Sequence, residues 1–373
     1  MINKLKIRLL TGYDWWLIAA VILLTFFSLA AIYSVSLAGS VRVNPAFYDF
    51  KKQLLAAGIG LVLMFLVGRL NYSFYRATTR LWYFLGLGLL LAVLFFGADI
   101  RGTRGWLVFN NFSFQPVELI KISLVLALAS VFGRFARGFK TLNFIIASVM
   151  ILALPVGLVM LQPDFGGAAV LILLWFSLVL IAGPRHSFLI TLAVTGLLTF
   201  ILGWFFFFLP YQRERLLTFI QPGRDPLGGG YNVLQSIIAV GSGGVLGRGL
   251  GFGSQSQLQF LPETKSDFIF AVLAEELGFV GVILLLACFT LLFYRLLILA
   301  KLARDDFSLF LILGALCVFF WQFFINVGMN LGLLPVAGLA LPFISSGGSA
   351  VVINFLLIGL VQSAARGQIR PTG

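Results

Sequence analysis

Residues 262–293 read PETKSDFIFAVLAEELGFVGVILLLACFTLLF. From Phe268 onward this is an apolar stretch whose only charges are the adjacent pair Glu275 and Glu276. It exceeds the roughly 20 residues that a helix needs to cross the hydrocarbon core of a bilayer. Nine further apolar runs lie along the chain, at 15–34, 53–67, 81–96, 117–132, 144–161, 168–182, 188–209, 309–327 and 350–361. None alternates as a membrane β-strand does, so in lipid the backbone must close its hydrogen bonds within helices. The expected fold is an all-α polytopic membrane protein with ten transmembrane helices. Residues 1–373 form one integral membrane domain, with a large extracytoplasmic loop, 210–266, between helices seven and eight.

Composition agrees. Of 373 residues, 60% are hydrophobic and 10% charged, against about 45–50% and about 25% in soluble domains. Disorder and a water-soluble globule are both excluded. The net charge is +13, but the basic residues sit between apolar runs and form no nucleic-acid-binding patch. With the N-terminus inside, fifteen of the 26 Lys and Arg fall on the cytoplasmic side and ten outside, five of those in 210–266. Both termini are therefore expected in the cytoplasm. Lys4, Lys6 and Arg8 precede the first run, and Ser36-Leu37-Ala38 follows it as a signal-cleavage site would. The run is long for a signal peptide, and we read it as a retained helix. Cys288 and Cys317 lie within apolar runs, which argues against a disulfide and against a metal site.

Charges within a membrane are costly and usually functional. Pro116 suits a helix start, and Glu118 and Lys121 behind it are i, i+3 neighbours. They make either an internal ion pair or, with Arg101 and Arg104 just upstream, a cationic site for an anion such as a lipid diphosphate. Asp164 either caps the helix that follows it or belongs to the same site. Ser266 or Asp267 is placed to cap the eighth helix, and Asp267 would share a face with Ala271, Ala274 and Gly278. Glu275 and Glu276 point to different sides, so at least one needs a polar partner. The loop 210–266 holds eleven glycines and the apolar stretches 233–240 and 258–261. Short helices and re-entrant pieces are expected there. No phosphate-binding loop, dinucleotide fingerprint or Cys/His zinc cluster is present in the sequence.

The motifs Asp225-Pro226-Leu227-Gly228-Gly229-Gly230-Tyr231, Gly241-Ser242-Gly243-Gly244, Pro262-Glu263 with Ser266-Asp267-Phe268, Asn326-Val327-Gly328-Met329 and Ser345-Ser346-Gly347-Gly348-Ser349 occur in that order. With 253–263 they strongly resemble the SEDS family (shape, elongation, division and sporulation), and its rod-shape branch more than its division branch. Val117, Ser346 and 336–340 depart from the family's usual residues. The resemblance implies a peptidoglycan glycosyltransferase that polymerises lipid II, with Asp267 as general base. Arg104 and Lys121 would hold the diphosphate, Glu118 would orient Lys121, and Asp164 and Glu263 would shape the outer cavity. Arg213, Arg215 and Arg248 would meet phosphate or anchor the loop to headgroups. Implied partners are lipid II, the undecaprenyl-diphosphate-linked glycan, membrane lipids and a class B penicillin-binding protein, and not nucleic acid. No cofactor is assigned, although a divalent cation could sit on the substrate diphosphate. The alternatives are a lipid II flippase and a noncatalytic scaffold of the wall-building complex.

Overall fold

The computed structural model describes residues 12–38, 47–100, 103–109, 112–135, 142–183, 186–207, 210–221 and 228–366. Each of the ten expected runs falls on a helix. These are α1 (Trp15–Ala38), α2 (Tyr48–Arg69), α3 (Tyr72–Phe96), α4 (Pro116–Phe135), α5 (Leu142–Leu161), α6 (Phe165–Ile181), α7 (His186–Leu202), α11 (Ile269–Lys301), α12 (Asp306–Asn330) and α13 (Gly348–Arg366). Eight of them are long and apolar enough to cross a membrane. The other two, α6 and α7, have 17 residues each, and α7 runs on into a π-helical turn, Gly203–Phe207. The protein is thus a multi-pass membrane protein.

The centre of the bundle is α4, flanked by α3, α5, α12 and α13, while α2 packs along α13. Small residues set these crossings. A Cβ on Gly60 would meet the Phe355 ring at 2.6 Å, and one on Gly359 would meet the Met64 carbonyl at 2.8 Å. Close backbone approach of this kind drives helix association where lipid removes the hydrophobic incentive. At one end of the bundle, Asp14 pairs with Arg295, and its backbone N–H donates to Gln362 at 2.9 Å. α1, α11 and α13 are joined there through buried polar groups.

Two features depart from an all-helical reading. Residues between α3 and α4 form a three-stranded antiparallel sheet of β1 (Ala98–Ile100), β2 (Thr103–Phe109) and β3 (Phe112–Phe114). Val108 pairs with Ser113 and Phe109 with Phe112, a hairpin that leads straight into Pro116. A scan for long apolar runs passes over strands this short. The second feature concerns Asp267, which does not cap α11. It lies in the preceding turns, and Phe268 stands at the cap position without a side-chain cap bond.

The loop 210–266 carries α8 (Pro210–Ile220), α9 (Gly229–Ser242) and α10 (Ser254–Gln257). It re-enters the bundle at a break in α11, where Gly278 has φ 64° and ψ −165°. The backbone groups freed by that break bond to the loop. The N–H groups of Arg248 and Gly249 donate to the carbonyls of Glu275 and Glu276 at 3.1 and 2.9 Å. Phe279 and Val280 in turn donate to Gly244 and Val245 at 2.9 and 3.1 Å. Irregular backbone at membrane depth survives only when protein satisfies it in this way. Both carboxylates serve the loop as well. Glu275 accepts from the N–H groups of Gln255 (2.8 Å) and Ser256 (3.2 Å), and Glu276 from the Ser34 hydroxyl (2.5 Å) and the Gly251 N–H (3.3 Å).

A Cβ on Gly278 would lie 2.1 Å from the Gly247 nitrogen. Gly278→Ala should therefore destabilise the fold by about 3 kcal/mol or more. Gly58→Ala, whose Cβ would meet nothing within 4 Å, should leave stability nearly unchanged. Thermal denaturation of the two variants in detergent checks both.

Candidate functional site

A cavity of about 340 Å³ lies at the end of the bundle that carries the sheet. Seven segments converge on it: the start of α2, strands β2 and β3, the first turns of α4, the turn between α5 and α6, and the segments before α11 and α13. Asp267, Glu118, Lys121 and Asp164 all line it, together with Arg215 of α8. Residues as far apart in sequence as Asp49 and Ala350 thus meet in one hollow.

Lys121 donates to Glu118 Oε1 at 2.6 Å, and their side chains are 2% and 7% exposed. On a helix begun by Pro116, the i, i+3 spacing puts both on one face. A buried charge survives only with such a partner. Lys121 keeps further N–H donors on its ammonium group for a ligand anion.

Asp164 precedes α6 and accepts from the Gly167 N–H at 2.8 Å, so it is the N-cap of that helix. It also faces the cavity, and the two readings of this residue hold together. Burial pushes its carboxyl pKa up. The Gly167 bond and the positive charges of Lys121 and Arg215 oppose the rise, while Glu118 adds to it.

Asp267 is fixed through its backbone. Its carbonyl accepts from the side-chain amides of Asn326 and Asn330 on α12, each at 3.0 Å. The loop between α12 and α13 closes on the same turn. Ser345 Oγ donates to the Ser266 carbonyl at 2.6 Å, and the Ser346 N–H to the Lys265 carbonyl at 2.7 Å. Gly338, at φ +65°, lies over the carboxylate, and a Cβ there would be 3.7 Å from Asp267 Oδ2. Asp267 lines the cavity, and its turn is held by α12 and by the loop between α12 and α13.

The other candidates lie off the cavity wall. Arg104 on β2 is exposed, although its neighbours Thr103 and Trp106 line the hollow. Glu263 has φ 52° and accepts from the Ser266 hydroxyl at 3.0 Å, so it shapes the turn that delivers Asp267 and not the cavity itself. Arg213 donates to the Phe205 carbonyl at 3.3 Å. It lies two residues from Arg215, and on a helix that step points to the opposite side. Arg248 donates to Ser254 Oγ at 3.0 Å and ties down the re-entrant loop. Sequence reading missed Lys52 and Gln115, and gave Ser346 no role, although all three line the cavity. Lys52 stands near the start of α2, at the same end of the bundle as the informative acids, and that placement was the available signal. Among the described residues, no group of three or more His, Cys, Asp or Glu is arranged to hold a metal ion.

The fold and cavity together define a polytopic membrane protein with an ionic, carboxylate-bearing hollow at one end of its bundle. Residues 14–369 match the family described as FTSW_RODA_SPOVE, cell cycle protein. The chain belongs to this family, the SEDS proteins. It is 37% identical over 367 residues to "Probable peptidoglycan glycosyltransferase FtsW" of Thiomicrospira cyclica, covering 96% of this chain and 92% of that one. It is 41% identical over 306 residues to "Peptidoglycan glycosyltransferase MrdB" of Escherichia coli K12, covering 82% of each. Among solved structures, a chain from work on "polymerization and crosslinking by a peptidoglycan synthase complex" superposes with a TM-score of 0.78 at 34% identity, covering 97% of this chain and 100% of that one. The rod shape determining protein RodA of Thermus thermophilus gives 0.70 at 28%, covering 98% and 100%.

Lys121→Met strands a buried Glu118 charge and should cost about 3–5 kcal/mol of stability. Adding Glu118→Gln should restore most of that loss, as read by thermal unfolding. Asp164 yields a pH prediction. Because its pKa is raised in the fold, its stabilising contribution is complete below the unfolded value and fades as pH rises through the folded one. Asp164→Asn keeps an acceptor for the Gly167 N–H and removes this titration. As pH rises from about 4, the ordinary carboxyl range, the wild-type unfolding midpoint should fall relative to that of the variant.

Proposed function

We propose that the chain is an inverting peptidoglycan glycosyltransferase. As one membrane domain, it would polymerise lipid II into β-1,4 glycan strands at the outer face of the bacterial cytoplasmic membrane, for cell elongation and rod shape. The observation that carries this reading is that Asp267 and Lys121, from distant segments, line one cavity. A glycosyl transfer of this type needs a base for the acceptor hydroxyl and a cation for the departing diphosphate. The hydroxyl oxygen attacks the anomeric carbon as the bond to the diphosphate oxygen breaks. Asp267 takes the hydroxyl proton, and Lys121 with Arg215 neutralises the leaving group. Glu118 holds Lys121 in place, and Asp164 caps α6 at the cavity wall. A diphosphate leaves without strong acid assistance, so one carboxylate base suffices. Arg104, exposed beside the hollow, would meet the substrate as it enters.

Both termini would lie in the cytoplasm, which puts this cavity outside. The partner in this reading is a class B penicillin-binding protein that supplies the cross-links. The similarity to a chain of a peptidoglycan synthase complex supports that pairing.

Asp267→Asn should lower the polymerisation of labelled lipid II by about 10²- to 10⁴-fold. The variant should stay folded, because the backbone contacts from Asn326 and Asn330 persist. The assay uses purified protein with and without its partner, and moenomycin to silence unrelated glycosyltransferases. Equal activity of wild type and variant would move the base elsewhere. Inactivity of both, with lipid II still crossing vesicles, would replace the enzyme with a flippase.

A further inference from the structure

A second cavity, of about 850 Å³, lies between α3, α4 and α5. Its place along the bundle is set by α4, which starts beside the first cavity and carries Arg134 in its last turn. Arg134 is roughly 20 Å further along the helix axis than Lys121. The second cavity is therefore at the opposite end of the molecule.

Three arginines line it: Arg76 and Arg80, one turn apart on α3, and Arg134. Like charges at i, i+4 on a helix repel. Arg76 has its own counter-charge, since it pairs with Asp305 at 3.3 Å and its guanidinium lies 5.8 Å from the centre of the Phe307 ring. Among the described residues, Arg80 and Arg134 have no carboxylate partner. The rest of the lining includes the Ser130 hydroxyl, the small side chain of Ala77 and the ring of Phe84, which is 66% exposed on the outside of the bundle. Cationic residues that only fix topology are scattered over loop surfaces. These three converge on a hollow that has an apolar wall on its lipid side.

We propose that this cavity binds the phosphate headgroup of an anionic phospholipid. Arg80 and Arg134 contact the phosphate oxygens, and the acyl chains run along Phe84. Guanidinium forks match phosphate geometry, and basic pockets between membrane helices are suited to anionic headgroups. A free anion would make no use of the apolar wall.

The test uses the full-length protein in zwitterionic detergent. It is titrated with phosphatidylglycerol, with phosphatidylcholine of the same chains, and with inorganic phosphate, and bound species are counted by native mass spectrometry. Phosphatidylglycerol should bind most tightly. The Arg80→Gln/Arg134→Gln variant should weaken that binding on the order of tenfold or more. Ala77→Leu fills the hollow without changing its charge and should weaken binding as well. Arg69→Gln/Lys301→Gln removes two charges in the last turns of α2 and α11, outside the lining, and should have little effect. Equal losses in this pair and the arginine pair would reduce the site to general surface charge and overturn the proposal. So would phosphatidylcholine binding as tightly, inorganic phosphate competing at the lipid's own concentration, or an Ala77→Leu variant that binds as wild type does.

Discussion

A lysine enclosed in an apolar bundle must have its charge answered close by, and Glu118 answers that of Lys121 at 2.6 Å. This pair sits in the first turns of α4, the most central helix, so the surrounding architecture has to accommodate it. The sheet before Pro116 delivers the two residues to the cavity. The turn carrying Asp164 brings a third carboxyl, whose pKa burial raises while the Gly167 N–H, Lys121 and Arg215 oppose the rise. In this low-dielectric setting, pairing decides which side chains can stay charged. An anionic substrate would exploit the same field.

A parallel constraint governs the backbone. Gly278 breaks α11, and in lipid each freed N–H and carbonyl would cost several kcal/mol if left unpaired. The loop between α9 and α10 supplies the partners, while Glu275 and Glu276 bind that loop through their side chains. The glycines of this region are needed because two backbones meet there with no room for a Cβ. This arrangement also bears on the site. The segment carrying Asp267 leads directly into α11, and Asn326 and Asn330 hold its carbonyl from α12.

Much of this was legible beforehand. The apolar runs located ten helices, because length and composition suffice wherever lipid is the solvent. Scarcity made the acids informative, and the singled-out residues Glu118, Lys121, Asp164, Arg215 and Asp267 do meet in the cavity. The remaining candidates show where one-dimensional reasoning stops. Glu263 and Asp267 are four residues apart, yet one bends the turn and the other faces the hollow. Arg213 and Arg215 differ only in which side of α8 they occupy. Lys52 went unnoticed because nothing in its own neighbourhood separates it from Lys51.

The sequence by itself determined the solvent, the helical class, the position of each apolar run and the family, since these rest on composition, run length and ordered motifs. Only the tertiary structure decided which charges share a cavity, that the sheet forms its wall, and that Glu275 and Glu276 are bonded to the re-entrant loop. The physical reason is that a polar side chain in an apolar bundle is governed by its partner, and partners such as Asn326 and Asn330 for Asp267, or Ser34 for Glu276, lie far away along the chain.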